Sequence, residues 1–264
     1  MEIVNEKSTR NLLWTGGWDS TYRLLDLVLR NNIVVQPFYL IDSTRKSTRI
    51  ELLTMRKIKD YLFEKYPHTK NLILKTVYED TGDISPDDQI SHAYAIIREK
   101  HYLGSQFPWL ARFCKEHKIT NMELCAGLTP GGGSSLIFEP FIEQVQIDSD
   151  FVYKIKEECF DTPEGIIFKD FVFPLFGNYD KQRINKVSDE NGWTEIMTMT
   201  WFCHTPILGK ISCGVCSPCE YVYQGNMEWR MPWYINTLKK MGVLRLLKRM
   251  HHTMKKASHT RLGS

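Results

Sequence analysis

A regular alternation of strand-like and helix-like segments constrains the fold of this chain more than any other feature. Short apolar segments rich in β-branched and aromatic residues alternate with segments that have the apolar period of a helix. The predicted strands are 11–14, 33–41, 71–79 and 121–128. The predicted helices are 21–30, 49–65, 90–100, 109–117 and 181–191. This order predicts an α/β fold, with a mostly parallel, Rossmann-like sheet and helices on both faces.

The composition predicts one large domain with an appendage. A chain of 264 residues, 42% of them apolar, can bury roughly 70–75% of its unfolded surface. Because no Pro/Ser/Gly-rich linker divides it, we expect a nucleotide-binding domain over 1–200 and a metal-binding segment with a basic helical tail over 201–264. The polar N-terminus and the lack of a membrane-length apolar run predict a cytoplasmic protein with no membrane partner.

The loop between the first strand and the first helix, Thr15–Thr21, has the composition of a phosphate site. Glycines at 16 and 17 let the backbone approach an anion at the amino end of a helix. The hydroxyl groups of Thr15, Ser20 and Thr21 add hydrogen-bond donors, and Asp19 can cap the helix or hold Mg²⁺. The spacing excludes a Walker loop and a dinucleotide fingerprint. The residues alone fit a tight turn with a helix cap equally well, but the position after the first strand favours phosphate.

Four cysteines crowd into seventeen residues near the C-terminus. Cys203, Cys213, Cys216 and Cys219 have the spacing C-x9-C-x2-C-x2-C, which suits a closed tetrahedral zinc site. An iron–sulfur cluster is the main alternative, since four cysteines serve it too. Cys114, Cys125 and Cys159 lie in apolar contexts and are predicted to be core residues.

The two motifs together resemble a known family. Thr15-Gly16-Gly17-Trp18-Asp19-Ser20 resembles the S-G-G-x-D-S loop of the ATP pyrophosphatase (PP-loop) superfamily, with Thr in place of the leading Ser. With the cysteine motif, and with similar segments at 102–127 and 173–203, the chain resembles 7-cyano-7-deazaguanine synthase, the QueC family. The resemblance covers roughly residues 11 to 225 and is weaker between its two ends.

The resemblance implies a HUP-type sheet, ATP with Mg²⁺, structural Zn²⁺ and a ligase reaction. Such enzymes adenylate 7-carboxy-7-deazaguanine, release pyrophosphate and add ammonia. It implies catalytic roles for Asp19, Ser20 and Lys181, which stands at the family's lysine position. The nucleotide-binding residues implied are Thr15, Gly16, Gly17, Trp18, Asp19, Ser20, Thr21 and Asp42. For Asp42, at the end of the second strand, a simple helix cap is an equal alternative.

The sequence departs from that family around the acyl substrate. The family's deazapurine-gripping loop is replaced by the glycine-rich residues 128–135, and its stretch after the second strand is replaced by 42–46. The candidate substrate residues are Gly127, Gly131, Gly132, Ser134, Glu139 and Glu143. These departures resemble divergent QueC-like enzymes of bacterial anti-phage operons, some of which use a partner protein's amine as acceptor. A homodimer is left open.

Two other functions remain open at this point. A tRNA-thiolating enzyme would share the loop, and its catalytic thiol would have to be Cys125. A non-catalytic nucleotide-binding scaffold would keep both motifs without turnover. The net charge of +3 is too small to predict nucleic-acid binding by itself, yet residues 239–261 contain eight Lys/Arg, three His and no acid. That segment combines an apolar stripe with a basic face, so it can dock on the parent domain, on a partner or on RNA, or be a solvated helix.

Overall fold

A computed structural model describes residues 9–125, 137, 139–148, 150–177 and 181–244. The chain divides into two compact units. The larger unit comprises Met1–Ser43 and Leu52–Thr200, and the smaller unit comprises Thr44–Glu51 and Trp201–Ser264.

The larger unit is built on a seven-stranded sheet in the order β3-β2-β1-β4-β7-β6-β5. The strands are β1 (Arg10–Leu13), β2 (Val35–Ile41), β3 (Val77–Asp80), β4 (Met122–Glu123), β5 (Ile142–Ile147), β6 (Asp150–Ile155) and β7 (Phe171–Phe173). Strands β3, β2, β1, β4 and β7 pair in parallel, and β6 runs antiparallel to both β5 and β7. The predicted α/β class with a mostly parallel sheet is confirmed, and the sheet is consistent with a Rossmann-like fold.

Nine α-helices occur in the described residues. They are α1 (Trp18–Leu25), α2 (Thr48–Lys65), α3 (Asp88–Lys100), α4 (Gln106–Glu116), α5 (Pro163–Phe168), α6 (Lys181–Glu190), α7 (Thr194–Met199), α8 (Ser217–Gln224) and α9 (Trp233–Lys240). A π-helical turn, Asp26–Arg30, extends α1. Within the described ranges, no helix has both the length and the apolar character that crossing a membrane requires.

Two predicted strands are shorter than expected. Asn71 ends a 3₁₀ turn that begins at Pro67, and Ile73 makes a single bridge to Val35 before the strand proper starts at Val77. The proline removes a backbone donor and favours the turn, which explains the late start. The fourth strand keeps only Met122–Glu123, and 127–128 lie outside the described residues.

A cluster of charged side chains is buried in the larger unit. Arg23 donates from Nε to Glu123 Oε2 at 2.7 Å and from Nη2 to Glu123 Oε1 at 2.8 Å. The same guanidinium reaches Asp150 Oδ2 at 2.8 Å and Asp26 Oδ2 at 3.1 Å. Burial lowers the pKa of Arg23, but the carboxylates, Glu123 foremost, outweigh it and hold that pKa well above its ordinary value. The pairing therefore joins α1 to β4 and to the β5–β6 hairpin.

Two further arginines extend this charge network. Arg10 lies 3.0 Å from Asp148 and 3.7 Å from Glu123, and Arg30 pairs with Asp26. Burial raises the pKa of Asp26, although the neighbouring guanidinium groups oppose the shift. Three arginines therefore face four carboxylates, so the network has one cation fewer than it has anions.

Because carboxylates outnumber arginines in this network, we predict that Arg23 and Glu123 contribute unequally to the free energy of unfolding. Arg23→Met should lower the free energy of unfolding by about 3–5 kcal/mol, because buried carboxylates lose their cation. Glu123→Gln should cost less, about 1–3 kcal/mol, since Arg23 keeps Asp26 and Asp150 as partners. Urea denaturation of both variants measures the difference.

The matched control is an exposed pair of the same unit, Arg56 and Asp60, whose charged atoms lie 3.7 Å apart. Arg56→Met should change the free energy of unfolding by less than about 1 kcal/mol. Equal losses from Arg23→Met and Glu123→Gln would contradict the charge-balance argument.

Candidate functional site

The loop after β1 leads directly into α1, and glycine is required at its start. Gly16 has φ +69°, and a Cβ there would lie 3.1 Å from Thr54 Cγ2 and 3.2 Å from Met55 Cγ. Gly17 is the N-cap of α1, and within the described residues no side chain caps that helix. The first N–H groups of a helix have no acceptor within the helix. The amino end of α1 therefore keeps the donors and the partial positive charge that favour an anion.

The sheet order places this loop where α/β sheets bind ligands. From β1 the chain continues to β2 on one side, while β4 pairs with β1 on the other side. Such a reversal of direction leaves a crevice at the carboxyl ends of the strands. Residues 15–21 follow the carboxyl end of β1, so they lie at this crevice.

Lys181 brings a cation to the loop from 162 residues away in sequence. Its Nζ donates to both carboxylate oxygens of Asp19, and both side chains are only partly buried. Lys181 is the first residue of α6, and Asp19 is in the first turn of α1. The structure thus brings together two of the three predicted catalytic residues. An ammonium can bind phosphate or carboxylate oxygens, and a carboxylate can hold Mg²⁺.

Cys125, two residues beyond β4, belongs to the same region. Burial raises the pKa of its thiol well above the ordinary value, and the Glu123 carboxylate adds to that shift. The charges of Asp19 and Lys181 also act on this thiol, with opposite signs. The raised pKa favours the neutral thiol, which is a poorer nucleophile and metal ligand than a thiolate; the side chain itself is partly buried.

The other residues predicted to bind the nucleotide differ in their solvent exposure. Thr15 is exposed, whereas Trp18 and Ser20 are buried. Thr21 is fully buried, its hydroxyl accepts a hydrogen bond from Trp14 Nε1 at 3.0 Å, and its N–H donates to Gly17. Thr21 therefore packs beneath the loop instead of presenting its hydroxyl to a ligand. The partly exposed Asp42 follows β2.

The candidate substrate residues are not brought together in the described part of the chain. Gly127, Gly131, Gly132 and Ser134 lie outside the described residues. Glu139 is exposed at the start of the 3₁₀ turn Glu139–Phe141. Glu143 lies on β5, 4.0 Å from Lys154 and four strands away from β1. The described contact of Glu143 is therefore with a neighbouring strand and not with the loop after β1.

The second site is the cysteine cluster of the smaller unit. The four sulfurs of Cys203, Cys213, Cys216 and Cys219 all lie within 4.8 Å of one another. The Sγ–Sγ distance is 3.8 Å between Cys213 and Cys219, 3.9 Å between Cys216 and Cys203, and 3.4 Å between Cys216 and Cys219. Four thiolates about 2.3 Å from one tetrahedral ion would have sulfurs about 3.8 Å apart. The cluster can therefore hold one metal ion such as zinc.

Backbone N–H groups and a tight turn around the cluster suit thiolate ligands. The N–H groups of Val215 and Cys216 donate to Cys213 Sγ at 3.5 and 3.4 Å, as in a metal-binding knuckle. Gly214 has φ +74°, and a Cβ there would lie 2.7 Å from both Ile235 and Leu244. The tight turn thus needs glycine for its backbone angle and for space. Four sulfurs this close to one another can bind a single metal ion. In a four-iron cluster each thiolate binds a separate iron, so the sulfurs lie farther apart.

Sequence reasoning missed the charges that support the first site. Arg23 and Glu123 each stand among apolar neighbours, in TYRLL and NMELC, and both are buried. An isolated charge in an apolar strand or helix face needs a buried partner, and that was the available signal. The partner itself is 100 residues away in sequence, so no local pattern could identify it.

The chain matches no model of a known protein family and no curated protein. A proposal for the two sites therefore rests on their residues and geometry and on the motif resemblance of residues 15–20 and of the four cysteines.

The cysteine geometry predicts one metal ion per chain. Cys216→Ser should lower metal content and destabilise the smaller unit, because a structural zinc site contributes about 10 kcal/mol or more in metal-folded peptides. Elemental analysis of the purified chain, with thermal unfolding before and after chelation, measures both effects.

The matched control is Cys159→Ser. Cys159 lies outside the cluster, so its substitution should leave the metal content unchanged. Iron with labile sulfide, or less than one ion per chain in the unmodified protein, would contradict a single zinc site.

Proposed function

We propose that the protein is an ATP-dependent ligase that adenylates a carboxylate and passes the acyl group to an amine. One observation carries the proposal: the amino end of α1, at the carboxyl end of β1, has Asp19 and Lys181 in contact beside it. The finer fold assignment, a HUP-type domain of the PP-loop superfamily with a zinc knuckle, rests on the resemblance of residues 15–20 and of the cysteine motif.

In this proposal the loop holds the β- and γ-phosphates of ATP. The N–H groups at the start of α1 and the exposed Thr15 supply donors, and Gly16 lets the backbone turn toward the anion. Asp19 would hold Mg²⁺, which neutralises phosphate charge. Lys181 would exchange the Asp19 carboxylate for a phosphate or acyl oxygen when the nucleotide binds.

The reaction consists of two displacements. A carboxylate oxygen of the acid attacks the α-phosphorus of ATP, the bond to the β-phosphate oxygen breaks, and pyrophosphate leaves. An amine then attacks the acyl carbon, AMP leaves with the former carboxylate oxygen, and the amine gives up a proton. Negative charge develops on phosphate oxygens in the first step, so a cation fixed beside the loop lowers that barrier.

The acid we propose is a 7-deazaguanine carboxylate, on the resemblance to the QueC family. The glycine-rich residues 128–135 replace that family's bulkier loop, which favours an acceptor larger than ammonia, such as an amine of a partner protein. The zinc we propose has a structural role, because four thiolates fill its coordination and leave no position for substrate.

The neutral thiol at Cys125 argues against a thiolation reaction. Thiolation needs a thiolate that attacks or carries sulfur, whereas burial and Glu123 raise the pKa of Cys125. We therefore expect Cys125→Ala to keep pyrophosphate release and product formation within a few-fold of the unmodified protein. Loss of product formation with retained pyrophosphate release would favour thiolation instead.

The test of adenylation is pyrophosphate release with ATP, Mg²⁺ and 7-carboxy-7-deazaguanine. Asp19→Ala and Lys181→Met should each lower the rate by about 10²-fold or more, since each removes a charge that acts on the reacting phosphates. Lys186→Met is the matched control: Lys186 lies on the same helix as Lys181, is exposed and pairs with Glu190.

Mass spectrometry of the product identifies the acceptor, with ammonia and a co-purified partner protein offered separately. A mass increase on the partner supports a protein amine, and a free amide or nitrile supports ammonia. No acid-dependent release of pyrophosphate by the unmodified chain would refute the proposal and leave a nucleotide-binding scaffold.

A further inference from the structure

Charge is distributed very unevenly between the two units. The smaller unit, eight residues at 44–51 and 64 residues at 201–264, contains 13 Lys/Arg and 3 Asp/Glu, a net charge of +10. The rest of the chain contains 21 Lys/Arg and 28 Asp/Glu, a net charge of −7. The overall charge of +3 therefore conceals a strongly basic unit. A basic unit of this size attracts polyanions.

Two of the three acids of the smaller unit are already engaged by its own cations. Glu51 accepts from Arg45 at 2.9 Å, and Glu220 accepts from Lys239 at 2.6 Å. Other cations of the unit are exposed: Lys46, Arg49, Lys210 and Lys240. Six more Lys/Arg follow at 245–261, beyond the described residues. Among the described residues, four cations of the unit are thus exposed to an outside ligand.

Helix α9 presents aromatic rings on its exposed side. Trp233 is 77% exposed, and its ring stands edge-to-face with Tyr234 at 5.8 Å between centroids. Thr237, Lys240 and Met241 are also exposed and follow Trp233 by four, seven and eight residues, so they share its face of the helix. The opposite face buries Ile235. Tryptophan is highly buried on average, so a ring that is 77% exposed is available for contact with a ligand.

Aromatic rings interleaved with lysines fit a single-stranded nucleic acid. Bases of a single strand stack on exposed rings while Lys and Arg hold the phosphates, whereas a duplex keeps its bases stacked inside. A membrane surface would call for a continuous apolar face. On α9 that face is interrupted by Thr237 and Lys240, and Met241 is the one exposed aliphatic side chain of this set.

We propose that the smaller unit binds single-stranded nucleic acid, with a base stacked on Trp233 and a phosphate held by Lys240. This inference rests on the charge and aromatic surface of the unit and does not depend on the ligase reaction. RNA and DNA share the chemistry that the surface recognises.

The test is fluorescence anisotropy of the full chain with labelled single strands of about 15 nucleotides, one of RNA and one of DNA. Trp233→Ala should weaken binding by about 5- to 150-fold, the equivalent of one lost base–aromatic stack. The matched control is Tyr102→Ala, because Tyr102 is 80% exposed but belongs to the larger unit. Trp233→Phe keeps an aromatic ring and should restore most of the affinity, which separates stacking from a folding defect.

The salt dependence tests the phosphate contacts separately. Between about 50 and 200 mM salt, Lys240→Met should reduce the slope of log affinity against log salt by about 0.7, as expected for one lost phosphate contact on a single strand. Lys186→Met, in the larger unit, should leave the slope unchanged. The strand bound more tightly, RNA or DNA, identifies the natural ligand class.

Three results would overturn the proposal. The first is no binding of either strand at about 50 mM salt. The second is an equal effect of Trp233→Ala and Tyr102→Ala on affinity. The third is binding to vesicles of phosphatidylcholine and phosphatidylserine with none to nucleic acid, which would make the surface a membrane contact.

Discussion

The larger unit depends on one buried charge, the guanidinium of Arg23. A guanidinium stays protonated inside a protein, so the fold has to surround it with carboxylates. It does so with Glu123 from β4, Asp26 from the turn after α1 and Asp150 from the β5–β6 hairpin. Because Arg23 lies one helical turn after Asp19, the bidentate bond to Glu123 fixes the amino end of α1 against β4. The crevice beside β1 is therefore held by a charge pair and not by apolar packing alone.

The same charges determine what chemistry the crevice can support. Glu123, two residues before Cys125, adds to the desolvation that raises the pKa of that thiol, which favours the neutral form over a nucleophilic thiolate. Among the described residues, the charges at the loop are Lys181 and Asp19, which neutralise each other. In the proposed reaction, a nucleotide with its metal ion would offer each of them a new partner of the opposite sign. Such an exchange would keep both charges paired and avoid the cost of leaving a partly buried ion alone.

Sequence predicted those features whose signals are local. The periodic segments gave α2 and α6 to within one residue at each end, and the cysteine spacing identified four sulfurs that the structure brings within 4.8 Å. Pairings between distant segments could not be predicted. The antiparallel strands β5 and β6, β7 beside β4, and the contact between Lys181 and Asp19 each join residues that no short pattern links. Thr21 has a hydroxyl like the other loop donors, and only its burial against Trp14 shows that it supports the loop from below.

The smaller unit has to be stabilised in a different way from the larger unit. With 72 residues, at 44–51 and 201–264, it falls in the size range where a hydrophobic core alone is marginal. Much of its interior is formed by the cysteines themselves, with Ile235 and Leu244 packed at Gly214. A net charge of +10 adds repulsion that a core of this size has to overcome. A metal ion bound by the four thiolates would stabilise the unit without apolar surface. The exposed rings of α9 are consequently not needed for its core and stay available for a ligand.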